Sequence, residues 1–241
     1  TSGTTSVQAA GATASGVNGV AAQTLTITGP IGQVTDLSVS LSASAFDVAA
    51  GITAREGETG VTATAVNELN IGSGATSGVV SFDIYSGDGS ATDSTRLSVT
   101  ATIGAAGSST RLHELASEIN KKASTTGVNA EVTTDGSLKL TERSGKDIAI
   151  EGFTNSNDGD MVVTAYSEDA ADGSDVLAAS ATTTLVGSAT TDDSTRVSGR
   201  IELHSAGTYT ATSSVASGAG SVLSNVASGN LVGSEAQKLN V

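Results

Sequence analysis

Two stretches of the chain, residues 44–63 and 111–130, carry the same pattern of apolar and polar positions. Apolar residues recur in each at i, i+3, i+4 and i+7, which places one narrow apolar stripe on a helix. The stripe positions are Ala45, Val48, Ala49 and Ile52 in the first stretch and Leu112, Leu115, Ala116 and Ile119 in the second. The pattern predicts two short amphipathic helices, each buried on one face.

A glycine follows each predicted helix, and an alternating strand follows each glycine. Gly60 aligns with Gly127, which lies 67 positions later in the chain. A self-similarity at this period indicates one supersecondary unit that is used twice. Ser44, with Asp47 three residues later, is an acidic variant of the capping box that begins a helix.

Alternating apolar residues predict a β-hairpin before the first helix. Residues 24–28 and 34–41 each place apolar side chains on one face, and residues 29–32 read Gly-Pro-Ile-Gly, which is a turn signal. A further strand is predicted at residues 61–66, directly after the helix. The first unit therefore has the order strand, turn, strand, helix, strand.

The second unit is predicted to follow the same order. Its two strands are residues 79–85 and 96–103, joined by a polar loop at 86–94. A helix at 109–122 and a strand at 128–133 complete it. Asp135-Gly136 is a hairpin signal that leads into a strand at 137–141. Residues 144–146 turn again, and two more strands are predicted at residues 147–153 and 161–166.

The remaining segments are less regular. Residues 1–22 are predicted to be extended chain, with an edge strand as one alternative, and residues 167–175 to be an acidic loop. Residues 176–186 read as a short helix or as irregular structure, since the periodicity does not decide between them. Strands are predicted at 195–204 and 208–213, and residues 215–241 are predicted to be extended and packed along the first unit.

These elements predict an α+β fold that is β-rich overall. We expect two hairpin–helix–strand lobes, in which antiparallel sheets each pack on one short helix. Aromatic residues are only 2% of the 241 residues, so the core must be built from Val, Leu, Ile and Ala. Each of these buries a modest area, and several thin layers of sheet and helix suit them better than one thick core.

Composition excludes several classes of function. The chain has 11 Lys and Arg against 25 Asp and Glu, a net charge of −14, which argues against nucleic acid and anionic membranes as partners. It has no Cys, so disulfides, thiol nucleophiles and thiolate metal sites are excluded. No run of about 18 apolar residues occurs, so no membrane-spanning helix is expected.

Candidate catalytic and metal-binding residues are few. His113 and His204 lie without a fixed-spacing metal partner, and we interpret both as structural or surface residues. Residues 155–160 resemble a calcium loop, but its twelfth position is Tyr166 where an EF-hand requires Glu. We interpret Asp88, Asp93 and the acidic pair at 192–193 as turn residues. No phosphate loop or serine elbow occurs, so we predict no catalytic, cofactor-binding or metal-binding residue.

The repeated unit, followed by strands with an Asp-Gly turn, resembles the insertion motif of bacterial flagellins. The matching residues are Val48, Ala49, Ile52, Thr59, Gly60, Val61 and Ala63 in the first copy, and Leu115, Ala116, Ile119, Thr126, Gly127, Val128, Ala130, Gly136, Leu138 and Leu140 in the second. The layout from about residue 14 to 241 is similar to the surface-exposed central region of flagellins. That includes a closing segment at residues 183–209.

The resemblance implies a structural role in the flagellar filament, as the outer, hypervariable and antigenic part of flagellin. It implies a secreted, extracellular protein whose partners are other flagellin subunits. It also implies that residues 1–75 form a first outer lobe with the N-terminal segment that enters it. Residues 76–170 then form a second outer lobe, and residues 171–241 a segment that returns toward the first.

Flagellins polymerise through heptad-rich terminal helices, and no such pattern occurs at either end of this sequence. The expectation is therefore an outer region that does not polymerise by itself and is monomeric or weakly associating. We hypothesise O-glycans on the Ser/Thr-rich loops at 86–94 and 182–195. A chain without disulfides and with few bulky aromatics suits the family's export as an unfolded chain.

Two alternatives remain open at this point. The same motif occurs in filament-cap and hook-associated proteins, so the chain could be a fragment of one of these. A secreted adhesin or carbohydrate-binding module is the alternative from another class. Because sugar sites usually stack rings on aromatic side chains, three Tyr, three Phe and no Trp weaken that second alternative.

Overall fold

The computed structural model describes residues 6–14, 18–72, 75–87, 96–108, 110–168, 175–188, 190–216, 220–223 and 230–233. Fifteen strands and four short helices form in these residues. The strands are β1 (Ser6–Val7), β2 (Gln23–Thr28), β3 (Gln33–Val39), β4 (Val61–Ile71), β5 (Gly78–Gly87), β6 (Leu97–Ile103), β7 (Val128–Val132), β8 (Leu138–Glu142), β9 (Asp147–Asn155), β10 (Met161–Glu168), β11 (Asp175–Leu185), β12 (Thr195–Ser198), β13 (Arg200–Ser205), β14 (Tyr209–Ser213) and β15 (Asn230–Gly233). The helices are α1 (Ala45–Thr53), α2 (Glu56–Thr59), α3 (His113–Asn120) and α4 (Ala123–Thr126).

The strands pair into three antiparallel sheets. One sheet has the order β15-β14-β2-β3, and a second has the order β1-β12-β9-β5-β6. The third has the order β11-β10-β4-β8-β7, with β13 paired to the first half of β4. The β-rich α+β fold predicted from the sequence is confirmed.

The first lobe has its own core, which we call the lobe 1 core. It combines β2, β3, the start of β4, β13 and β14 with the apolar stripe of α1. All four predicted stripe residues of α1 are buried. The predicted capping box is confirmed, because the Ser44 hydroxyl accepts from the Asp47 amide at 3.2 Å and the Asp47 carboxylate accepts from the Ser44 amide at 3.4 Å.

A larger lobe 2 core lies between the other two sheets and α3. Leu115 and Ile119 of α3 are buried in it, together with Phe82 and Phe153 of β5 and β9. The Phe82 and Phe153 ring centroids are 6.4 Å apart, which is aromatic contact distance. Apart from these rings and Met161, the lobe 2 core consists of aliphatic side chains.

The predicted hairpins are confirmed. Strands β2 and β3 pair across the Gly29–Gly32 turn, where the Gly29 amide donates to the Gly32 carbonyl at 2.9 Å. Strands β7 and β8 pair across the Asp135-Gly136 turn. The predicted edge strand near the N-terminus is β1, which pairs with β12.

Residues 176–186 are neither a helix nor irregular, and that interpretation was wrong. Nearly all of them belong to β11, which pairs along β10 from Met161↔Leu185 to Glu168↔Asp175. Val176–Leu185 has no strict alternation, and the pairing shifts register between Thr164 and Tyr166. The partner strand, rather than the local pattern, therefore makes this segment extended.

The single strand predicted at 195–204 is two strands that belong to different sheets. Strands β12 and β13 are separated by Gly199, and they pair with β9 and with β4 respectively. A Cβ at Gly199 would lie 2.7 Å from the Val66 carbonyl oxygen, so only glycine fits at this crossing. The helix predicted at 109–122 likewise begins later, at His113, and is followed by the separate turn α4.

Some predictions fall outside the described residues. These are most of the 86–94 loop, with Asp88 and Asp93, residues 169–174 of the acidic loop, and most of residues 215–241. The division of the chain at residues 75 and 170 stays a prediction.

Candidate functional site: the repeated helix-to-strand unit

The first copy of the repeated unit ends in a specific set of hydrogen bonds. The Thr59 hydroxyl donates to the Arg55 carbonyl at 3.1 Å and accepts from the Val61 amide at 3.1 Å. Gly60 lies between them at φ 72°, a left-handed conformation that L side chains rarely adopt. One buried threonine therefore closes the helical turn and also begins β4.

The second copy contains the same bonds 67 positions later. The Thr126 hydroxyl donates to the Lys122 carbonyl at 3.1 Å and accepts from the Val128 amide at 3.2 Å. Gly127 has φ 73°. Thr59 and Thr126 are 1% and 0% exposed, so both hydroxyls are buried and satisfied.

A second contact in each copy joins the helix to the strand that follows it. The Thr53 hydroxyl donates to the Ala63 carbonyl at 3.1 Å and accepts from its amide at 3.0 Å. In the second copy, the Asn120 amide side chain donates to the Ala130 carbonyl and accepts from its amide, both at 2.8 Å. Different side chains thus hold the same backbone position of the two strands.

The two copies differ in the partner of the strand that follows the helix. Strand β7 pairs with β8, which follows it in the chain after a five-residue turn at 133–137. The corresponding half of β4 pairs with β13, and Val61 lies opposite Ser205. Nearly all of the lobe 2 elements therefore lie, along the chain, between the two strands of the first copy.

Strand β4 continues from lobe 1 into lobe 2, and a buried amide marks the crossing. Asn67 is fully buried, and its side chain donates to the Lys146 carbonyl at 3.0 Å and to the Val197 carbonyl at 2.7 Å. These carbonyls belong to the turn before β9 and to β12. Asn67 therefore ties β4 to two other chain segments where the lobes meet.

Charged residues surround the same crossing. The Glu68 carboxylate lies 2.8 Å from Lys139 Nζ and 2.9 Å from Arg200 Nη1. Glu68 and Arg200 are 8% and 6% exposed, so their charges are compensated by each other rather than by water. Arg200 belongs to β13 and Lys139 to β8, so this carboxylate joins strands from both lobes.

A second charged group is buried deeper, below the N-terminal segment. Arg196 and Asp147 are both fully buried, with Arg196 Nη1 3.8 Å from the Asp147 carboxylate. Asn18 donates to the same carboxylate at 2.9 Å, and the Arg196 guanidinium lies 5.6 Å from the Tyr85 ring centroid. Because a buried charge is costly without its partner, these residues fix the N-terminal segment to lobe 2.

The second unit belongs to a region that matches a known family. The sequence model of a family described as the flagellin hook IN motif matches residues 81–144. The chain contains a flagellin-type domain. The match begins in β5 and ends just after β8, so it includes α3, α4 and β7.

The residues that carry the resemblance to flagellins have defined places in this flagellin-type domain. Leu115, Ile119, Leu138 and Leu140 are fully buried in the lobe 2 core, and Gly127 is the left-handed residue that ends α4. The matched region does not reach the first copy at 44–63. A second flagellin motif there is therefore a proposal.

Two solved structures are similar to the chain at low identity. One is a crystal structure of the flagellar cap protein FliD, domains D2-D3, from Escherichia coli, at 14% identity and a TM-score of 0.24, covering 84% of this chain and 97% of that one. The other contains the D1-D2-D3 domains of FliD from Escherichia coli, at 15% identity and a TM-score of 0.22, covering 84% of this chain and 54% of that one. No curated protein matches the chain.

The candidate chemical residues lie apart from one another. His113 is exposed on α3, and His204 is half-buried on β13 with its Nε2 2.9 Å from the Thr64 hydroxyl. In the 155–160 loop, the Asn155 side chain accepts from the Asn157 amide at 2.9 Å and donates to the Thr76 carbonyl at 3.1 Å. The described part of the chain has no group of three or more His, Cys, Asp or Glu suited to a metal ion.

One carboxylate has a shifted pKa. Hydrogen bonds from the Thr133 hydroxyl and then from the Ser137 amide lower the pKa of Asp135 from its ordinary value of 3.8. Asp135 lies in the β7–β8 turn and organises it. Among the described helices, none has the length and hydropathy needed to cross a bilayer.

The polar residues of the lobe junction were not predicted from the sequence. Asn67, Glu68 and Asn70 interrupt the apolar alternation of β4, and that interruption was the only signal available. Arg196 lies three residues before Gly199 and Arg200 directly after it, and neither carried a signal of burial. Their roles depend on strands that are distant in the chain.

Proposed function

We propose that this chain is the outer, surface-exposed region of a flagellin, a structural component of the bacterial flagellar filament. The observation that carries the proposal is the flagellin hook IN motif at residues 81–144, which runs from β5 to just after β8. In this role the chain forms the antigenic outer surface of the filament and contributes lateral contacts between subunits. It is secreted and extracellular, and it acts without catalysis or cofactor.

The architecture suits a projecting module. Strand β4 and the β12–β13 segment both run from one lobe into the other, and Asn67 and Glu68 tie these strands together. Two connections that are joined by hydrogen bonds and an ion pair resist bending more than a single linker does. A net charge of −14 keeps such a surface solvated.

We also propose that residues 44–63 are a second copy of the insertion motif. The support is the set of hydrogen bonds that recurs at a shift of 67 residues, at Thr59 and Thr126 and at Thr53 and Asn120. On this proposal, lobe 2 is inserted where the first copy would have its short hairpin turn. The three segments 1–75, 76–170 and 171–241 then form the first outer lobe, the second outer lobe and the returning segment.

Immunogold electron microscopy of native filaments tests the function. Antibodies raised against this chain should label the whole length of the filament. Labelling only at the tip would identify a cap protein, and labelling only at the base would identify a hook-associated one. Absence of label from the flagellum, together with binding on a glycan array, would favour the adhesin.

Modification of the outer surface is a separate hypothesis. The Ser/Thr-rich segments at 86–94 and 182–195 are proposed O-glycan sites because their sequence is polar. In the second segment, residues 182–185 belong to β11 and Ser194 and Thr195 are fully buried, so the candidates lie between them at 186–193. Intact-mass spectrometry of subunits from native filaments measures this directly. A mass equal to that of the polypeptide alone would contradict it.

A further inference from the structure

One face of the third sheet brings a lysine, an asparagine and a glutamate together. Asn70 and Glu68 are two residues apart on β4, so their side chains lie on the same face of the sheet. Lys139 of β8 lies directly opposite Asn70 in the register of the two strands, and its side chain therefore shares that face. The alternate residues of β4, Leu69 and Ile71, are buried in the lobe 2 core on the other face.

The Lys139 side chain crosses β4 to reach its partners. Its Nζ lies 2.8 Å from the Glu68 carboxylate and 4.7 Å from the centroid of the Tyr166 ring. Tyr166 belongs to β10, which lies on the far side of β4 from β8. Because neighbouring strands are about 4.8 Å apart, a lysine of β8 approaches that ring only by passing over β4. The amine is therefore placed above the strand that carries Asn70 and Glu68.

The Asn70 carboxamide is enclosed in the same group. Asn70 is 4% exposed and Glu68 is 8% exposed, while 21% of the Lys139 side chain is exposed. The Asn70 Nδ2 donates to the Tyr166 hydroxyl at 3.4 Å, so this tyrosine contacts the carboxamide as well as the amine. Three neighbouring strands thus hold a primary amine, a carboxamide and a carboxylate in one largely buried group.

The charges around Glu68 suit it to accept a proton from the lysine. Arg200 Nη1 lies 2.9 Å from Glu68 Oε2, and this contact leaves Oε1 facing the Lys139 amine. Removal from water and a nearby second cation both favour the neutral form of a lysine amine, which is the nucleophile. Glu68 Oε1 is in direct contact with the ammonium that must lose the proton.

We propose that Lys139 and Asn70 form an intramolecular isopeptide bond, with Glu68 as the proton carrier. The Lys139 ammonium gives one proton to Glu68, and the neutral Nζ attacks the Asn70 Cγ. A bond forms between Nζ and Cγ, and the bond between Cγ and Nδ2 breaks. Nδ2 keeps its two hydrogens, takes one more from Nζ and one from Glu68, and leaves as an ammonium ion. Glu68 ends as it began, and no oxidant or metal is required.

The bond supplies a cross-link that the composition otherwise excludes. The chain has no Cys, so no disulfide can join its strands. An amide between Lys139 and Asn70 joins β8 covalently to β4, the strand that continues from lobe 1 into lobe 2. A cross-link restricts the unfolded chain and so stabilises the fold. The inference goes beyond the filament role and does not depend on it.

Intact-mass spectrometry of the recombinant 241-residue chain tests the bond. The expected mass is lower than that of the polypeptide by one ammonia. Peptide mapping should recover the segments around Asn70 and Lys139 as one joined peptide, and trypsin should not cleave after Lys139 because its amine is blocked.

Two variants test the roles of the lysine and the glutamate. Lys139→Arg keeps the positive charge but removes the nucleophile, and Glu68→Gln removes the proton acceptor, so both should restore the full polypeptide mass. Lys146→Arg is the matched control, because Lys146 Nζ lies near the Phe46 ring instead, 5.6 Å from its centroid. This control should still lose one ammonia, and circular dichroism checks the folding of each variant.

A folded wild-type chain with the full polypeptide mass would overturn the proposal. Loss of ammonia confined to a single peptide would also overturn it, because an asparagine can lose ammonia to its own backbone and form a succinimide. Loss that persists in Lys139→Arg would contradict the assignment of the amine. None of these results affects the labelling of native filaments, so failure of the bond and failure of the filament role are distinguishable.

Discussion

The two helix-to-strand units of this chain differ at the start of the helix and in the strand that pairs with them, but their helices end in the same way. Helix α1 has a capping box at Ser44, whereas α3 begins after Leu112 without a side-chain cap. Both units end at a buried threonine and a left-handed glycine. The second unit is completed by a hairpin with a five-residue turn, and the first by a strand that returns after nearly all of lobe 2.

This difference shows which part of the unit is self-sufficient. The helix end, the glycine and the first strand residues form the same bonds in both copies, whatever follows in the chain. The position after the first strand tolerates either a tight turn or an insertion of more than a hundred residues, because loop-closure entropy grows only slowly with length. A whole lobe can be inserted there without disturbing the unit.

The largest predicted effect is in the buried stripes. Ile119→Ala and Ile52→Ala should each destabilise the chain by about 2–5 kcal/mol, because both side chains are almost fully buried in thin cores. Denaturant unfolding measures this, with the half-exposed Val79→Ala as the matched control. A neutral Ile119→Ala would mean that α3 is a surface element and that the two-lobe description is wrong.

The next largest loss of stability is expected at the lobe junction around Asn67, which only the first copy has. Asn67→Ala removes both donors to the Lys146 and Val197 carbonyls, and each buried group left unpaired costs about 1–3 kcal/mol. Hydrogen exchange should show faster exchange in both halves of β4. Asn129→Ala, at an exposed site on β7, is the control. Equal effects of the two changes on hydrogen exchange would show that the Asn67 junction does not stabilise β4.

The capping difference predicts a smaller asymmetry. Ser44→Ala should cost about 1 kcal/mol, since it removes the acceptor for the Asp47 amide at the start of α1. Ser117→Ala, on the exposed side of α3, should be close to neutral because that serine caps nothing. Thermal unfolding of the two variants compares them, and equal losses would show that the cap is not what begins α1.

The smallest effect is the pH dependence of the short hairpin. The pKa of folded Asp135 is lowered, so its contribution to stability is present above its unfolded pKa and is lost as the pH falls through the folded pKa. Thr133→Val should raise the pKa of Asp135 toward 3.8 by removing the largest cause of the shift. Carboxyl NMR titration measures this, and an unchanged pKa would assign the shift to Ser137.

Local features were predictable from the sequence by itself. The apolar stripes of α1 and α3, the Ser44 cap, the glycines that end each unit and the Asp135-Gly136 turn all depend on residues within a few positions of one another. Their physical causes are periodicity, capping and left-handed backbone, which operate at short range. The same local signals carried the resemblance to flagellins.

Only the tertiary structure decided how distant segments combine. Residues 176–185 became a strand because β10 offered an edge, and residues 195–205 were divided at Gly199 because the Val66 carbonyl leaves no room for a side chain there. The burial of Asn67 and Arg196 follows from those pairings. Hydrogen bonds between distant strands are made by the backbone, which is the same at every residue, so no local pattern in the chain specifies which strands will meet.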